Sequence, residues 1–238
     1  MSHEPMKKPL KSCIIDINRH IILNAFNLSD LGLYRGKMGI VLYFYIYSRY
    51  MNEKIYEDYA GELLDNIFDE INIHLPFFFD DGLCGIGWGI EHLAQNNYLR
   101  IDTNEILSDL DKFIMQVNPT RIVYKSLDKG LAGLVKYILA RLTSHARSAS
   151  FPFDGEYLSR LYEFIMQKHQ ELINLHPVFN DFITYFQEPY YKRTEFDPSF
   201  FVTSPDITKI NKESIRSHPL GIRDGLSGSC LKQLRLNE

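Results

Sequence analysis

The sequence predicts an all-α protein, and three observations carry that prediction. Apolar residues recur at steps of three and four along most of the 238 residues, the signature of helices with one buried face. Alternating strand patterns are nearly absent; Arg121-Ile122-Val123-Tyr124 is the best candidate and is a single short piece. A glycine-rich turn recurs four times at a period of stacked helical pairs.

Taken in order, residues 37–50 form a short apolar helix after the first glycine turn. Residues 53–72 follow as an amphipathic helix, with Ile55, Tyr56, Tyr59, Ala60, Leu63, Leu64, Ile67, Phe68 and Ile71 on one stripe. Residues 87–97 form the next apolar helix. A helix over 103–117 begins after Asp102-Thr103-Asn104-Glu105, a good capping sequence, and carries Ile106, Leu107, Leu110, Phe113, Ile114 and Val117. The third turn is followed by helices over 131–143 and 155–175. Residues 188–219 lose the pattern. Pro189, Pro198, Pro205 and Pro219, with many charges, mark a long irregular connection. No composition break elsewhere divides the chain, so residues 1–238 are expected to form a single domain.

Composition excludes several classes. Hydrophobic residues make up 45% and charged residues 24%, which is globular rather than disordered. Lys and Arg number 26 against 30 Asp and Glu, a net charge of −4, and no basic stripe is interleaved with aromatics, so no nucleic-acid partner is expected. The longest apolar run, residues 38–47, is shorter than the ~20 residues of a membrane span. The N-terminus does not read as a secretory signal. Three scattered cysteines, Cys13, Cys84 and Cys230, make no disulfide framework. A soluble, reduced, cytoplasmic protein is expected.

The repeat is the strongest signal. Its copies are Gly32-Leu33-Tyr34-Arg35-Gly36-Lys37-Met38-Gly39-Ile40, Gly82-Leu83-Cys84-Gly85-Ile86-Gly87-Trp88-Gly89-Ile90, Ser126-Leu127-Asp128-Lys129-Gly130-Leu131-Ala132-Gly133-Leu134, and Gly221-Ile222-Arg223-Asp224-Gly225-Leu226-Ser227-Gly228-Ser229. In this alignment Ile86 replaces the central glycine of the second copy and Ser126 the first glycine of the third. The copies start 50, 44 and 95 residues apart. Each unit reads as a glycine turn, an inner helix and an outer helix. Gly32, Gly36, Gly39, Gly82, Gly85, Gly89, Gly130, Gly133, Gly221, Gly225 and Gly228 are structural turn glycines. One per turn is expected to take a positive φ, and the others to let helix starts pack closely. A phosphate-loop reading fails, because no strand precedes the turns and no Gly-Lys-Ser/Thr follows.

These units resemble the lanthionine synthetase C-like (LanC-like) family. Residues 81–90 and Gly130-Leu131-Ala132-Gly133-Leu134 carry the likeness, which covers residues 30–143 and returns at 221–236. The resemblance implies a toroid of helical hairpins whose inner helices ring a cavity; with no outer helix after the fourth motif it would be incomplete, with an open edge available for self-association. It also implies ribosomal peptide modification. In that chemistry a substrate cysteine adds to a dehydrated Ser or Thr, activated by zinc on two Cys and one His. The partners implied are a precursor peptide and the dehydratase that prepares it.

The zinc ligand set is not complete in this sequence. No Cys-His dipeptide occurs, Gly85 follows Cys84, Ser229 and Leu231 flank Cys230, and Cys13 precedes every motif. No metal or other cofactor is therefore expected, and a degenerate accessory that binds the precursor stands beside the cyclase. For a cyclase, Cys84 is the local thiolate candidate and His92 the acid or base. His92 is eight residues along, about 12 Å on a helix and beyond shared coordination.

Two other readings compete: a non-catalytic helical-repeat module, and a carbohydrate-active toroid using Asp80, Asp81 and Glu91 as acid and base. Against the latter, Asp80 or Asp81 is expected simply to cap the helix that follows. Trp88, Phe77-Phe78-Phe79 and Tyr43-Phe44-Tyr45 read as core before groove.

Overall fold

The computed structural model describes residues 8–72, 74–144, 152–188 and 203–235. The described residues contain α-helices and 3-10 turns and no strand, so the all-α expectation holds. The α-helices run in the order α1 (Lys8–Asn24), α2 (Lys37–Met51), α3 (Lys54–Glu70), α4 (Leu83–Gln95), α5 (Thr103–Ile106), α6 (Ser108–Met115), α7 (Leu131–Ser144), α8 (Gly155–Gln167), α9 (His169–Leu175), α10 (Val178–Gln187) and α11 (Leu226–Arg235). None is long and apolar enough to cross a membrane among the described residues.

Two expected helices are broken. The helix over 103–117 divides at Leu107 into α5 and α6, and that over 155–175 divides at Lys168 into α8 and α9. Residues 121–124 are not a strand: a 3-10 turn, Pro119–Arg121, leads into extended backbone at Ile122. Of the irregular connection, residues 189–202 lie outside the described residues, and the remainder holds two 3-10 turns, Ile207–Lys209 and Ile215–Ser217.

The chain divides into two compact units, Met1–Asn72 with Phe196–Glu238, and Ile73–Glu195. In the first unit, α2 packs along α3 and against α11. Helix α2 is buried on nearly every side, whereas α3 buries one face through Ala60, Leu63, Leu64 and Ile67, as a covering helix does. Phe44 stacks on Tyr56, with ring centres 5.8 Å apart, and meets Tyr59 edge-on at 5.2 Å. Between the two helices Asn52 takes the left-handed conformation, φ 54°, which Asn tolerates better than most residues.

In the second unit α7 lies between α4 and α10. Gly87 lets α4 approach: a Cβ there would stand 2.5 Å from Tyr137 Cε2. All but a few residues of α4 and α7 are buried, matching their largely apolar sequences.

The glycine corners share one construction, which the hydrogen bonds define. The first helical N–H reaches back seven residues to a loop carbonyl four times: Lys37 to Asp30 (2.9 Å), Leu83 to Pro76 (2.9 Å), Leu131 to Tyr124 (3.0 Å) and Leu226 to Pro219 (2.8 Å). The wrap satisfies N–H groups that every helix start leaves open. The equivalent glycines are therefore Gly36, Gly82, Gly130 and Gly225, each immediately before its helix. Gly82 aligns with Gly36 and not with Gly32, which corrects the register of the second copy. Gly39, Gly85, Gly133 and Gly228 then fall together three residues on, and the second copy lacks no central glycine. The spacings become 46, 48 and 95 residues.

That even period exposes one more corner, the fourth of five in chain order. Helix α10 begins after Pro177, which is 47 residues beyond Gly130 and 48 before Gly225. It packs on α7 as α4 does on the other side. This corner carries Pro177 in place of glycine, and its first helical N–H meets His176 Nδ1 instead of a carbonyl seven residues back.

None of the described glycines has a positive φ, which overturns the reason expected for one glycine per turn, while close packing holds for others: a Cβ on Gly133 would stand 2.7 Å from Phe79 Cβ. Gly36 and Gly82 are extended, with φ −95° and −132°, a conformation open to any residue. What they supply is clearance. A Cβ on Gly36, Gly82 or Gly130 would collide with the carbonyl oxygen of Asp30, Pro76 or Tyr124, and one on Gly225 would lie 2.8 Å from that of Pro219. Corners pair within each unit. Arg223 N–H donates to the Tyr34 carbonyl at 2.8 Å in the first, and Phe79 and Asp80 N–H both donate to the Asp128 carbonyl in the second.

One corner breaks the pattern of its neighbours. The first helical residue is Leu83, Leu131, Val178 or Leu226 elsewhere, all buried, and Lys37 at the first corner, only 1% exposed. Its ammonium donates to Asn66 Oδ1 (2.7 Å) and Glu70 Oε1 (2.8 Å), and the Lys37 hydrogen bond above all holds the Glu70 carboxyl below its ordinary range. Only the lysine is buried; the Glu70 side chain is 42% exposed, so water supports the carboxylate on its own, whereas a buried ammonium without its partner is costly. Lys37→Leu is expected to be neutral or stabilising in chemical denaturation, and Glu70→Ala to destabilise. The double variant should match Lys37→Leu alone.

Candidate functional site

Helix α4 carries most of the residues singled out from sequence, and it positions them in two different environments. At its start, Cys84 is fully buried. Burial pushes its thiol well above the ordinary range, and the nearby Asp111 carboxylate adds to the shift. This is the reverse of the electropositive, partly exposed setting that gives a thiolate. His92 lies two turns further on, 5% exposed, stacked on Trp88 at 5.0 Å and 20°, with Asn96 Nδ2 3.3 Å from its Nδ1. Trp88 itself is 1% exposed and also packs against Phe79. Cys84 and His92 are thus held in the same packed helix and are not brought together.

Among the described residues no three His, Cys, Asp or Glu side chains are grouped so as to hold a metal ion. Cys13 and Cys230 are in the first unit and Cys84 in the second. Among the described residues, two Cys and one His are not grouped as the zinc of the family resemblance would require.

The second environment is a buried ionic network that sequence reasoning missed. Arg141, on α7, is wholly buried. Its guanidinium donates to Asp111 Oδ2 on α6 at 2.6 and 3.1 Å, to Asp111 Oδ1 at 3.2 Å, and to Glu91 Oε2 on α4 at 2.8 Å. It also reaches Thr103 Oγ1 at 3.1 Å and Asn104 Oδ1 at 3.3 Å. Tyr137 donates its hydroxyl to Asp111 Oδ1, and Gln95 donates to Glu91 Oε1 at 2.9 Å. Burial disfavours the Arg141 charge, but the hydrogen bonds and charge of Asp111 more than reverse this and hold the guanidinium firmly ionised. The signal in the sequence was charge inside each apolar run, Glu91 within 83–93 and Lys136 and Arg141 within 131–142. Such residues are rarely buried unless paired.

This network corrects the expectation for Glu91. It is 1% exposed and ion-paired, not an acid or base facing an open cleft. Nor do Asp80 and Asp81 cap α4, whose first N–H is taken by the Pro76 carbonyl. Instead Asp80 Oδ1 accepts from the Asp81 N–H at 3.0 Å. Lys129 of the paired corner sits 3.7 Å from Asp80 and 3.3 Å from Asp81.

Burial, then the Asp81 charge, push the Asp80 carboxyl up to about 6, with Lys129 opposing. Because the folded value lies above the unfolded value of ~3.9, the stabilising contribution is full below pH ~4 and is lost as pH rises through about 6. Asp80→Asn removes that loss. Its melting temperature relative to the unaltered protein is expected to rise from pH 4 to pH 7, as thermal denaturation at both pH values would show.

The comparison with known families fits this architecture of repeated helical hairpins hinged at glycine corners. Residues 28–200 match the family described as lanthionine synthetase C-like protein, most of the chain. The chain belongs to that family. The matched span includes the first four corners and ends before the fifth, whose membership of the repeat rests on its hydrogen bonds. No curated protein matched the sequence.

Proposed function

We propose that this LanC-like protein acts in ribosomal peptide modification as an accessory that binds the precursor peptide, without thiolate chemistry of its own at Cys84. Family membership over residues 28–200 supports the peptide pathway. The observation that carries the accessory reading is the state of Cys84, fully buried with its thiol pushed towards the neutral form. A dehydratase would supply the dehydrated residues of the peptide. The ring-forming partner and any second copy of this chain would dock as separate proteins.

The test uses a fluorescent, dehydrated, cysteine-containing precursor peptide. Anisotropy reads binding, and alkylation followed by mass spectrometry reads the free thiol. The expected result is saturable binding with the thiol count unchanged, and the same for Cys84→Ala. Loss of the peptide thiol that depends on Cys84, together with stoichiometric zinc in the purified protein, would establish a cyclase instead. Absence of binding would remove the peptide reading altogether.

A further inference from the structure

The fourth corner differs from the other four in what holds its helix. At the others the first helical N–H is bound by a backbone carbonyl, which does not titrate. At the fourth, the Val178 N–H donates to His176 Nδ1 at 3.1 Å. The acceptor role requires the neutral imidazole with its proton on Nε2. The rest of the corner is tied by backbone, His176 N–H to the Leu172 carbonyl at 3.1 Å and Phe179 N–H to the His176 carbonyl at 3.4 Å.

We propose that this corner is an acid-sensitive hinge, in which a proton taken from solvent onto His176 Nδ1 withdraws the acceptor that holds the start of α10 and loosens α10 from α7. Protonation turns Nδ1 into a donor facing a donor. Helix α10 depends on that anchor because it is short and presents Val178, Phe179, Phe182 and Ile183, all at most 4% exposed, to the second unit.

The surroundings favour the neutral form. Burial, then the Lys136 charge on α7, lower the affinity of His176 for a proton. Asp181 of α10 is the other titratable group that feels Lys136. Lys168 and Glu171, at the junction of α8 and α9, act instead on Lys125. A histidine whose folded pKa is depressed contributes stability above its unfolded pKa of ~6.5 and loses it as pH falls through the folded value. The hinge therefore closes at neutral pH and opens in acid.

His176→Asn supplies a non-titrating control. Asp102, Asn118, Asp154 and Asp206 each accept, through a side-chain oxygen, the N–H two residues on, the same relation as His176 to Val178. Hydrogen exchange of the full chain, corrected for intrinsic rates, is measured at pH 7 and pH 5. Protection over residues 178–187 is expected to fall several-fold relative to α4 in the unaltered protein, and to stay level in His176→Asn. Equal falls in both proteins, or none in either, would overturn the hinge. Should the variant not fold, the nitrogen-15 shifts of the His176 imidazole at pH 7 decide: an Nε2-protonated ring supports the proposal, and an Nδ1-protonated ring overturns it.

Discussion

Arg141→Met is expected to destabilise the second unit by about 3–5 kcal/mol, the cost of stranding buried charges, and to lower its melting temperature by roughly 10 °C. The substitution leaves Glu91 and Asp111, 1% and 2% exposed, without the guanidinium that both share. Their remaining partners, Gln95 for Glu91 and Tyr137 for Asp111, are neutral donors. Replacing Glu91 and Asp111 by leucine in the same chain should recover much of the loss, because an apolar set of similar volume often matches a buried ion cluster. A loss under about 1 kcal/mol in Arg141→Met, the scale of an exposed pair, would show that the network is not shut away from water.

Gly82→Ala is the second large effect. The new Cβ would collide with the Pro76 carbonyl oxygen and lie 2.8 Å from Phe78 N, so backbone rather than a side-chain tip must move. The same carbonyl receives the first N–H of α4, and relief of the clash breaks that bond. The cost is expected at or above the upper end of the ~1–3 kcal/mol that overpacking brings. Gly155→Ala is the matched control. Nothing lies within 4 Å of its Cβ, and the change should be neutral or stabilising by about 0.4–1 kcal/mol. Equal stability of the two variants would show that the corners do not require glycine.

The helical pairs were legible because a buried helix and a covering helix differ in pattern, as α2 and α3 do. The register of the second corner was not. Gly82, Gly85, Gly87 and Gly89 offer several alignments, and the choice among them depends on a carbonyl seven residues upstream that no local pattern marks. The fourth corner escaped notice because Pro177 and His176 stand where glycine was sought. The breaks at Leu107 and Lys168 carry neither glycine nor proline. The Arg141 network joins residues 30 and 50 positions apart, a separation at which periodicity is silent. For Cys84, position in a turn was readable but burial was not, and burial decides its chemistry.

The first unit joins α1, α2 and α3 to α11, which follows them by more than 150 residues. Residues 73–195 are all made before α11 leaves the ribosome, so the second unit can close while the first still waits for its last helix. During that interval the flank of α2 that α11 will cover is exposed to whatever binds nascent chains. A ribosome halted short of residue 226 is therefore expected to carry one protected unit and one that proteases cut.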